Sequence, residues 1–134
     1  MASAADDLKR VPLFSDLSGR QLKKLAAKFH ARTFDPGTRV VREGAMSGVG
    51  FFVVTEGEAA VSVGGDVVAT LSAGDHFGEV SLVSKSERTA TVTAATTLRC
   101  LEIAFWDFRE FAHQNPDVTW KLLQHLVSML QRKE

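Results

Sequence analysis

The spacing of apolar residues divides the chain into a helical start, a long strand-rich middle and a helical end. Leu22, Leu25 and Phe29 recur at helical spacing after Ser18, which predicts an amphipathic helix. From residue 30 to residue 103 the apolar runs become short and are separated by glycine-containing turns. This order predicts an N-terminal helical segment, a core of β-sheet and C-terminal helices.

The N-terminal region carries a signal for the start of a helix. Ser18 is followed three residues later by Gln21, the spacing of a capping box, and Leu17 and Leu22 are placed to form a hydrophobic staple. Residues 1–7 are small and polar, so we expect them to be frayed. The basic residues of this helix lie away from its apolar face and are expected in solvent: Lys23, Lys24 and Lys28.

The middle of the chain contains about eight short strands. Residues 50–55 are apolar throughout, which indicates a strand buried on both faces, whereas residues 59–63 alternate. Gly64 and Gly65 join the alternating strand to the next one as a tight hairpin. Short strands with glycine turns between them predict a jelly roll or barrel-like sandwich.

The helical pattern returns after residue 104. Phe105, Phe108 and Phe111 share one face, and Asn115 followed by Pro116 is a strong signal for the start of another helix. The final helix has one apolar stripe: Trp120, Leu123, Val127 and Leu130. We expect this stripe to fold back on the strands, and a dimer interface is the alternative.

Composition narrows the function. The 134 residues fit one domain, and 16 basic residues balance 16 acidic ones, which argues against direct nucleic-acid binding. The single cysteine, Cys100, lies in an apolar run and is expected to be a small buried side chain. The apolar runs are too short for a signal peptide or a membrane span, so we expect a cytoplasmic protein.

The stretch from residue 77 to residue 92 has the features of an anion site. Gly78 allows close approach of a ligand to the backbone, and the following residues favour a helical turn whose free N–H groups attract an anion. Arg88 supplies a planar guanidinium suited to a phosphate. Glu79 would repel a phosphate but accepts hydrogen bonds from hydroxyl groups, as in a ribose. A phosphate and a sugar together indicate a nucleotide.

The residues that carry a family resemblance are Phe77, Gly78, Glu79 and Leu82, followed by Arg88, Thr89, Ala90, Thr91 and Val92. Together they resemble the phosphate-binding cassette of cyclic nucleotide-binding domains, the family of the catabolite activator protein and of the regulatory subunits of cyclic-AMP-dependent kinase. The resemblance implies a mainly β fold with flanking α-helices, a double-stranded β-helix (jelly roll or β-roll) with an N-terminal helix and two C-terminal helices. One domain would span residues 1–134, with helical segment 1–29, β-roll 30–103, cassette 77–92 and helices 105–134.

The resemblance also implies roles for individual residues. Arg88 would pair with the equatorial oxygen of a cyclic phosphate, and Glu79 would accept from the ribose 2′-hydroxyl. Gly78 and Ser81 would donate backbone N–H groups to the sugar and the phosphate, and the backbone N–H of Thr89 would reach the phosphate. The full expected site is Phe77, Gly78, Glu79, Val80, Ser81, Leu82, Arg88, Thr89 and Ala90. The implied ligand is cyclic AMP or cyclic GMP, with no cofactor and no metal; the Thr89 hydroxyl would suit either base.

The base requires apolar walls and a lid, which the sequence places only as alternatives. Candidate wall residues are Val61, Val63, Leu71, Val80 and Leu82, and core packing explains each equally well. Candidate lid residues in the last helix are Leu123, Leu126, Val127, Met129, Leu130 and Arg132. Arg132 would stack on a purine through a cation–π contact.

The main functional hypothesis is a non-enzymatic sensor. Cyclic nucleotide would favour closure of the C-terminal helix and signal to an unidentified protein effector in cis or in trans, from a monomer or a weak homodimer. One alternative is a ligand-free interaction domain of the same fold. Another is a cupin-type metalloenzyme, which would need a histidine cluster that the sequence does not display.

Overall fold

Helices lie at both ends of the chain. A computed structural model describes residues 3–42, 44, 50–78 and 90–133, without the side chains of residues 129, 132 and 133. The described helices are α1 (Ala4–Lys9), a short 3₁₀ helix (Pro12–Phe14), α2 (Gly19–Ala26), α3 (Phe105–Gln114) and α4 (Pro116–Lys133). The strands between them are β1 (His30–Phe34), β2 (Arg39–Val41), β3 (Phe51–Glu56), β4 (Ala59–Val63), β5 (Asp66–Leu71), β6 (His76–Phe77), β7 (Thr91–Ala94) and β8 (Leu98–Ile103).

The described strands form two antiparallel sheets of four strands each. Their orders are β1-β8-β3-β6 and β2-β7-β4-β5. The first strand pairs with the last, and the second pairs with the seventh, so early and late strands alternate across both sheets. Such pairing wraps the chain into a jelly roll, the fold class that the sequence predicts. The predicted hairpin joins β4 to β5, and both of its central glycines, Gly64 and Gly65, have positive φ.

Strand β3 separates two hydrophobic cores. Because successive side chains of a strand point to opposite faces, Phe51 and Val53 face the helices while Phe52 and Val54 face the inside of the roll. This arrangement explains the unbroken apolar run, and the prediction of a strand buried on both faces is confirmed.

The two cores differ in membership. The helix-side core consists of Leu8, Val11, Leu13, Phe14, Leu17, Leu22, Leu25, Phe29, Phe51, Val53, Ile103, Phe108, Phe111, Val118 and Leu122. The roll interior consists of Val41, Phe52, Val54, Ala59, Phe77, Val92, Ala94, Leu98 and Cys100. The first core joins both ends of the chain to the sheet, and the second lies between the sheets.

The prediction that residues 1–7 are frayed is wrong for the residues that the structure describes. Helix α1 begins after Ser3, whose hydroxyl accepts from the Asp6 N–H at 3.2 Å while the Asp6 carboxylate accepts from the Ser3 N–H. Leu8 at the other end of the helix is fully buried in the helix-side core. The capping box and the burial of Leu8 stabilise a helix that the composition of residues 1–7 does not predict.

Helix α2 begins as predicted. The Ser18 hydroxyl accepts from the Gln21 N–H at 3.2 Å, and the Gln21 side-chain oxygen accepts from the Ser18 N–H at 2.9 Å. Leu17 and Leu22, the expected staple pair, are both buried in the helix-side core. This local geometry fixes where the N-terminal segment packs against the last helix.

A single non-helical residue, Asn115, joins α3 to α4. Its backbone N–H and its side-chain amide both donate to the carbonyl of Phe111, each at 3.0 Å. The Thr119 hydroxyl donates to the carbonyl of Ala112 at 2.7 Å, and the Thr119 N–H donates to that of Asn115 at 3.1 Å. The joint is therefore braced by hydrogen bonds from both helices.

Helix α4 docks through a different face from the predicted one. Val118 and Leu122 are buried in the helix-side core, whereas the predicted inner stripe is exposed: Trp120 by 61%, Leu123 by 49%, Val127 by 47% and Leu130 by 63%. The expectation that this stripe packs on the strands is thus wrong for this structure. The physical reason is that α4 carries two apolar stripes, and the N-terminal helical segment covers the narrower one.

Candidate functional site

The structure describes the two flanks of the predicted cassette and not its centre. Phe77 ends β6, Gly78 follows it, and Ala90 precedes β7. The remaining predicted site residues lie outside the described residues: Glu79, Val80, Ser81, Leu82, Arg88 and Thr89. Their roles therefore stay predictions.

The first flank is anchored in the roll interior. Phe77 is buried, pairs with Phe52 of β3, and stacks on its ring with centroids 4.8 Å apart and planes 10° apart. Gly78, immediately after it, has a φ of 84°, in the left-handed region that a side chain disfavours. A fixed aromatic ring followed by a glycine in this conformation sets the direction in which the chain leaves β6.

The second flank enters the middle of the other sheet. Strand β7 pairs with β2 on one side and with β4 on the other, with Val61 opposite Val92. Val92 and Ala94 are buried in the roll interior while Thr91 and Thr93 are half-buried, so the side chains of β7 alternate between the two faces of the sheet. Ala90, just before the strand, is half-buried.

The two flanks thus belong to different sheets. Strand β6 is at the edge of the first sheet, next to β3, and β7 is an inner strand of the second sheet. The segment 79–89 connects them. Both flanks are tied to the roll interior, by Phe77 on one side and Val92 on the other.

Three of the candidate wall residues are described, and they differ in burial. Val61 and Leu71 are half-buried and pack against the roll interior, whereas Val63 is 44% exposed. Whether Val61 and Leu71 contact a base stays a prediction. Val80 and Leu82 lie outside the described residues.

The described lid candidates on α4 are exposed. They are Leu123, Leu126, Val127 and Leu130, and the side chains of Met129 and Arg132 lie outside the described part. A shallow hollow of about 360 Å³ between α3 and α4 lies beside the first of them, lined by Ala112, His113, Pro116, Thr119, Trp120 and Leu123.

The sequence analysis did not predict a row of polar contacts between α4 and the N-terminal segment. The Gln21 amide donates to the Asp117 carboxylate at 2.8 Å, and the Lys121 ammonium donates to the Gln21 side-chain oxygen at 2.9 Å. His125 lies one turn further on, with its Nδ1 3.1 Å from the Asp16 carboxylate. The available signal was the spacing of four residues between Asp117, Lys121 and His125, which places them on one helix face.

The pKa values of Asp117 and Cys100 are shifted by their surroundings. The Gln21 amide, which donates to Asp117, is the largest cause that holds the pKa of this carboxyl below its usual value. Burial raises the pKa of the Cys100 thiol to about 12, with a smaller contribution from Glu102. The prediction of a small buried cysteine is confirmed, since Cys100 is 1% exposed.

Within residues 3–42, 44, 50–78 and 90–133, no three His, Cys, Asp or Glu side chains come close enough together to hold a metal ion. None of the helices in these ranges combines the length and hydropathy that a membrane crossing requires.

A roll with helices at both ends, and with a connection between its sheets that starts at a left-handed glycine, defines a β-roll ligand-binding domain. The family model of the cyclic nucleotide-binding domain matches residues 31–115. The chain therefore belongs to the family of cyclic nucleotide-binding domains, and the predicted resemblance and fold are confirmed.

Individual relatives agree with this family assignment. A cAMP-dependent protein kinase regulatory subunit of Yarrowia lipolytica is 47% identical over 94 residues, which are 69% of this chain and 25% of that protein. The N-terminal domain of a transcriptional regulator from Streptomyces coelicolor A3(2) is 29% identical with a TM-score of 0.89, over 96% of this chain and 95% of that one. A structure of cAMP-bound PfPKA-R (141–441) is 25% identical with a TM-score of 0.72, over 91% of this chain and 45% of that one.

The chain spans a quarter or less of the length of the regulatory subunits it matches, with shares of 25%, 20% and 22% for three of them. The comparison thus concerns the regulatory nucleotide-binding module within these longer proteins.

Proposed function

We propose that this domain senses a cyclic nucleotide through Glu79 and Arg88 and transmits occupancy through α4. The observation that carries the proposal is the placement of the cassette flanks. Phe77 and Gly78 leave the edge of one sheet, and Ala90 precedes an inner strand of the other, so residues 79–89 join the two sheets along the chain. A ligand held by this segment would be linked through both flanks to the roll interior, by Phe77 on one side and Val92 on the other.

The ligand contacts follow from the chemistry of the cassette. Arg88 pairs with the cyclic phosphate as a charge-assisted hydrogen-bond donor, supported by the N–H groups of Ser81 and Thr89. Glu79 accepts from the ribose 2′-hydroxyl, and Gly78 donates its N–H to the sugar. Apolar contacts come from Phe77, Val80, Leu82 and Ala90.

The output element is α4. Its exposed lid candidates, Leu123, Leu126, Val127 and Leu130, gain burial when the C-terminal turns of the helix close over the base. Ligand that contacts the closed form more strongly shifts the population toward it, which is the link between binding and signal.

The biological setting is part of the same proposal. The ligand is cyclic AMP or cyclic GMP, the domain is not itself catalytic, and the effector is a protein in cis or in trans in the cytoplasm. The regulatory subunits named above support cyclic AMP.

The direct test is calorimetric titration of the 134-residue chain with cyclic AMP and cyclic GMP side by side. Arg88→Ala should weaken affinity by at least about tenfold, because loss of one member of a buried charge pair costs about 2–5 kcal/mol. The domain should stay folded by circular dichroism, and Arg88→Lys provides a control that keeps the charge but loses the planar fork. Equal affinity in Arg88→Ala and wild type would contradict the role of Arg88.

A second titration isolates the ribose contact. Wild type should bind 2′-deoxy cyclic AMP more weakly than cyclic AMP, and Glu79→Ala should reduce that difference, because the variant and the deoxy ligand remove the same hydrogen bond. Independent, additive losses would place the 2′-hydroxyl elsewhere.

A further inference from the structure

Helix α4 is held to the N-terminal segment by three polar side chains spaced one turn apart. Asp117 and Lys121 both bind Gln21 of α2, and His125 faces Asp16, which precedes α2. Beneath them lie the buried side chains Val118 and Leu122. The docked face of α4 therefore runs from residue 117 to residue 125.

The docked face ends at His125. The next residues with described side chains, Leu126, Val127 and Leu130, are exposed by 38%, 47% and 63%. His125 lies along α4 between the buried Leu122 and these exposed side chains, so closure of the C-terminal turns that leaves Leu122 docked would act first on the His125–Asp16 contact. Of the three polar contacts named above, this one lies furthest toward the C-terminus of α4.

The chemistry of this contact suits repeated formation and release. The His125 side chain is only 12% exposed, and its Nε2 is buried without a hydrogen-bond partner in the described ranges. Its Nδ1 faces Asp16, which is 64% exposed, so the pair gains little from a low dielectric. A buried nitrogen without a partner opposes docking, while the carboxylate contact favours it.

We propose that the His125–Asp16 contact opposes closure of α4 and thereby sets the affinity for cyclic nucleotide. Asp16 and His125 are positioning residues, because they act through α4 and do not touch the ligand. This inference rests on the proposed function, in which nucleotide binds the closed form more tightly. If the contact exists only in the open form, its removal raises the closed fraction, and the apparent dissociation constant falls by the same factor.

The test is the effect of Asp16→Ala on two quantities that should change in opposite directions. The melting temperature without nucleotide should fall by about 1–5 °C. The dissociation constant for cyclic AMP, measured by calorimetry on the 134-residue chain, should become about two- to fivefold tighter. A contact that only stabilises the fold would lower the melting temperature and leave the dissociation constant unchanged.

Matched variants complete the experiment. Asp16→Asn keeps an acceptor for the imidazole and should restore affinity to near the wild-type value. His125→Ala removes the other partner and should tighten binding in the same direction as Asp16→Ala. Gln124→Ala, an exposed neighbour on α4, should change neither quantity.

Each result has one meaning. Tighter binding together with a lower melting temperature supports the inference. Unchanged or weaker binding by Asp16→Ala, while wild type binds nucleotide, overturns the inference and leaves the proposed function standing. If wild type binds neither cyclic AMP nor cyclic GMP, the proposed function fails and the inference fails with it.

Discussion

The helix-side core and the roll interior share strand β3 but are built from different side chains. The helix-side core contains five phenylalanines among its described members: Phe14, Phe29, Phe51, Phe108 and Phe111. The roll interior contains two, Phe52 and Phe77, and its other members are small or medium-sized. The first core ties the terminal helices to the sheet, and the second ties the cassette flanks to each other.

The two cores therefore have different roles in stability and in ligand binding. Large rings packed edge to face give the helix-side core much of its buried area and a defined geometry. The roll interior holds Phe77 and Val92, the first and last residues of the cassette, so a change at either position should act on the ligand site. We therefore expect mutations in the first core to alter stability alone, and mutations at the cassette ends of the second core to alter stability and binding together.

The largest expected effect is that of Phe14→Ala in the helix-side core. Phe14 is fully buried and its ring lies 6.5 Å from Phe29 and 5.8 Å from Phe51, centroid to centroid. The variant should lose about 3–5 kcal/mol of unfolding free energy in urea titration. At a temperature where the variant is folded, its affinity for cyclic AMP should match that of wild type. A large loss of affinity would contradict the expectation that the helix-side core affects stability alone.

Phe77→Leu tests the roll interior. The substitution removes the stacked contact with Phe52 and should cost about 1–2 kcal/mol of stability. We also expect affinity for cyclic AMP to fall about fivefold, the equivalent of about 1 kcal/mol, because Gly78 leaves β6 directly after this ring.

Phe34→Leu is the matched control for Phe77→Leu. Phe34 also contacts Phe52, at 6.2 Å between ring centroids, but it lies in β1, far along the chain from the cassette. The Phe34→Leu variant should lose stability but keep the wild-type affinity for cyclic AMP. Equal losses of affinity in the two variants would show that the interior acts on binding only through overall stability.

Cys100 gives a probe of the interior that depends on pH. Because burial raises the folded-state pKa to about 12 from 9.0, the protonated thiol stabilises the fold fully below about pH 9. This contribution is lost as pH rises toward 12, since only the unfolded chain ionises readily. Native protein should resist maleimide labelling at pH 8, and Cys100→Ala should show a smaller loss of stability between pH 8 and pH 10.

The smallest expected stability effect is that of Leu130→Ala, outside both cores. Leu130 is 63% exposed, so unfolding free energy should change by no more than about 0.5 kcal/mol. If α4 closes over the ligand, affinity for cyclic AMP should still weaken measurably. Unchanged affinity would remove Leu130 from the set of lid residues and direct attention to the other exposed positions.

Much of the fold is predictable because local pattern and final environment agree. The apolar run of β3, the hairpin at Gly64 and Gly65, and the capping box of Ser18 and Gln21 each depend on few residues and formed as expected. The face by which α4 docks was not predictable, because Val118 with Leu122 and Trp120 with Leu123 are both apolar at helical spacing. Which stripe is covered depends on where the N-terminal segment packs.

The candidate site was predictable to a different degree. Phe77, Gly78 and Ala90 lie at the flanks of a connection between two sheets, and their roles in binding stay predictions. Glu79 and Arg88 remain predictions that depend on the resemblance and on their chemistry. The Asp16–His125 contact escaped prediction because its partners are 109 residues apart in sequence, and the four-residue spacing that includes His125 does not identify a partner outside the helix.

The bracing of the joint at Asn115 determines how a bend in the last helix is distributed. Asn115 and Thr119 donate hydrogen bonds to carbonyl groups of α3, so the end of α3 and the start of α4 are held at a fixed angle. A bend in α4 is then expected beyond Thr119, outside the hydrogen bonds of the joint. A rotation of the joint itself would displace Phe108 and Phe111, which pack in the core that also contains the N-terminal segment.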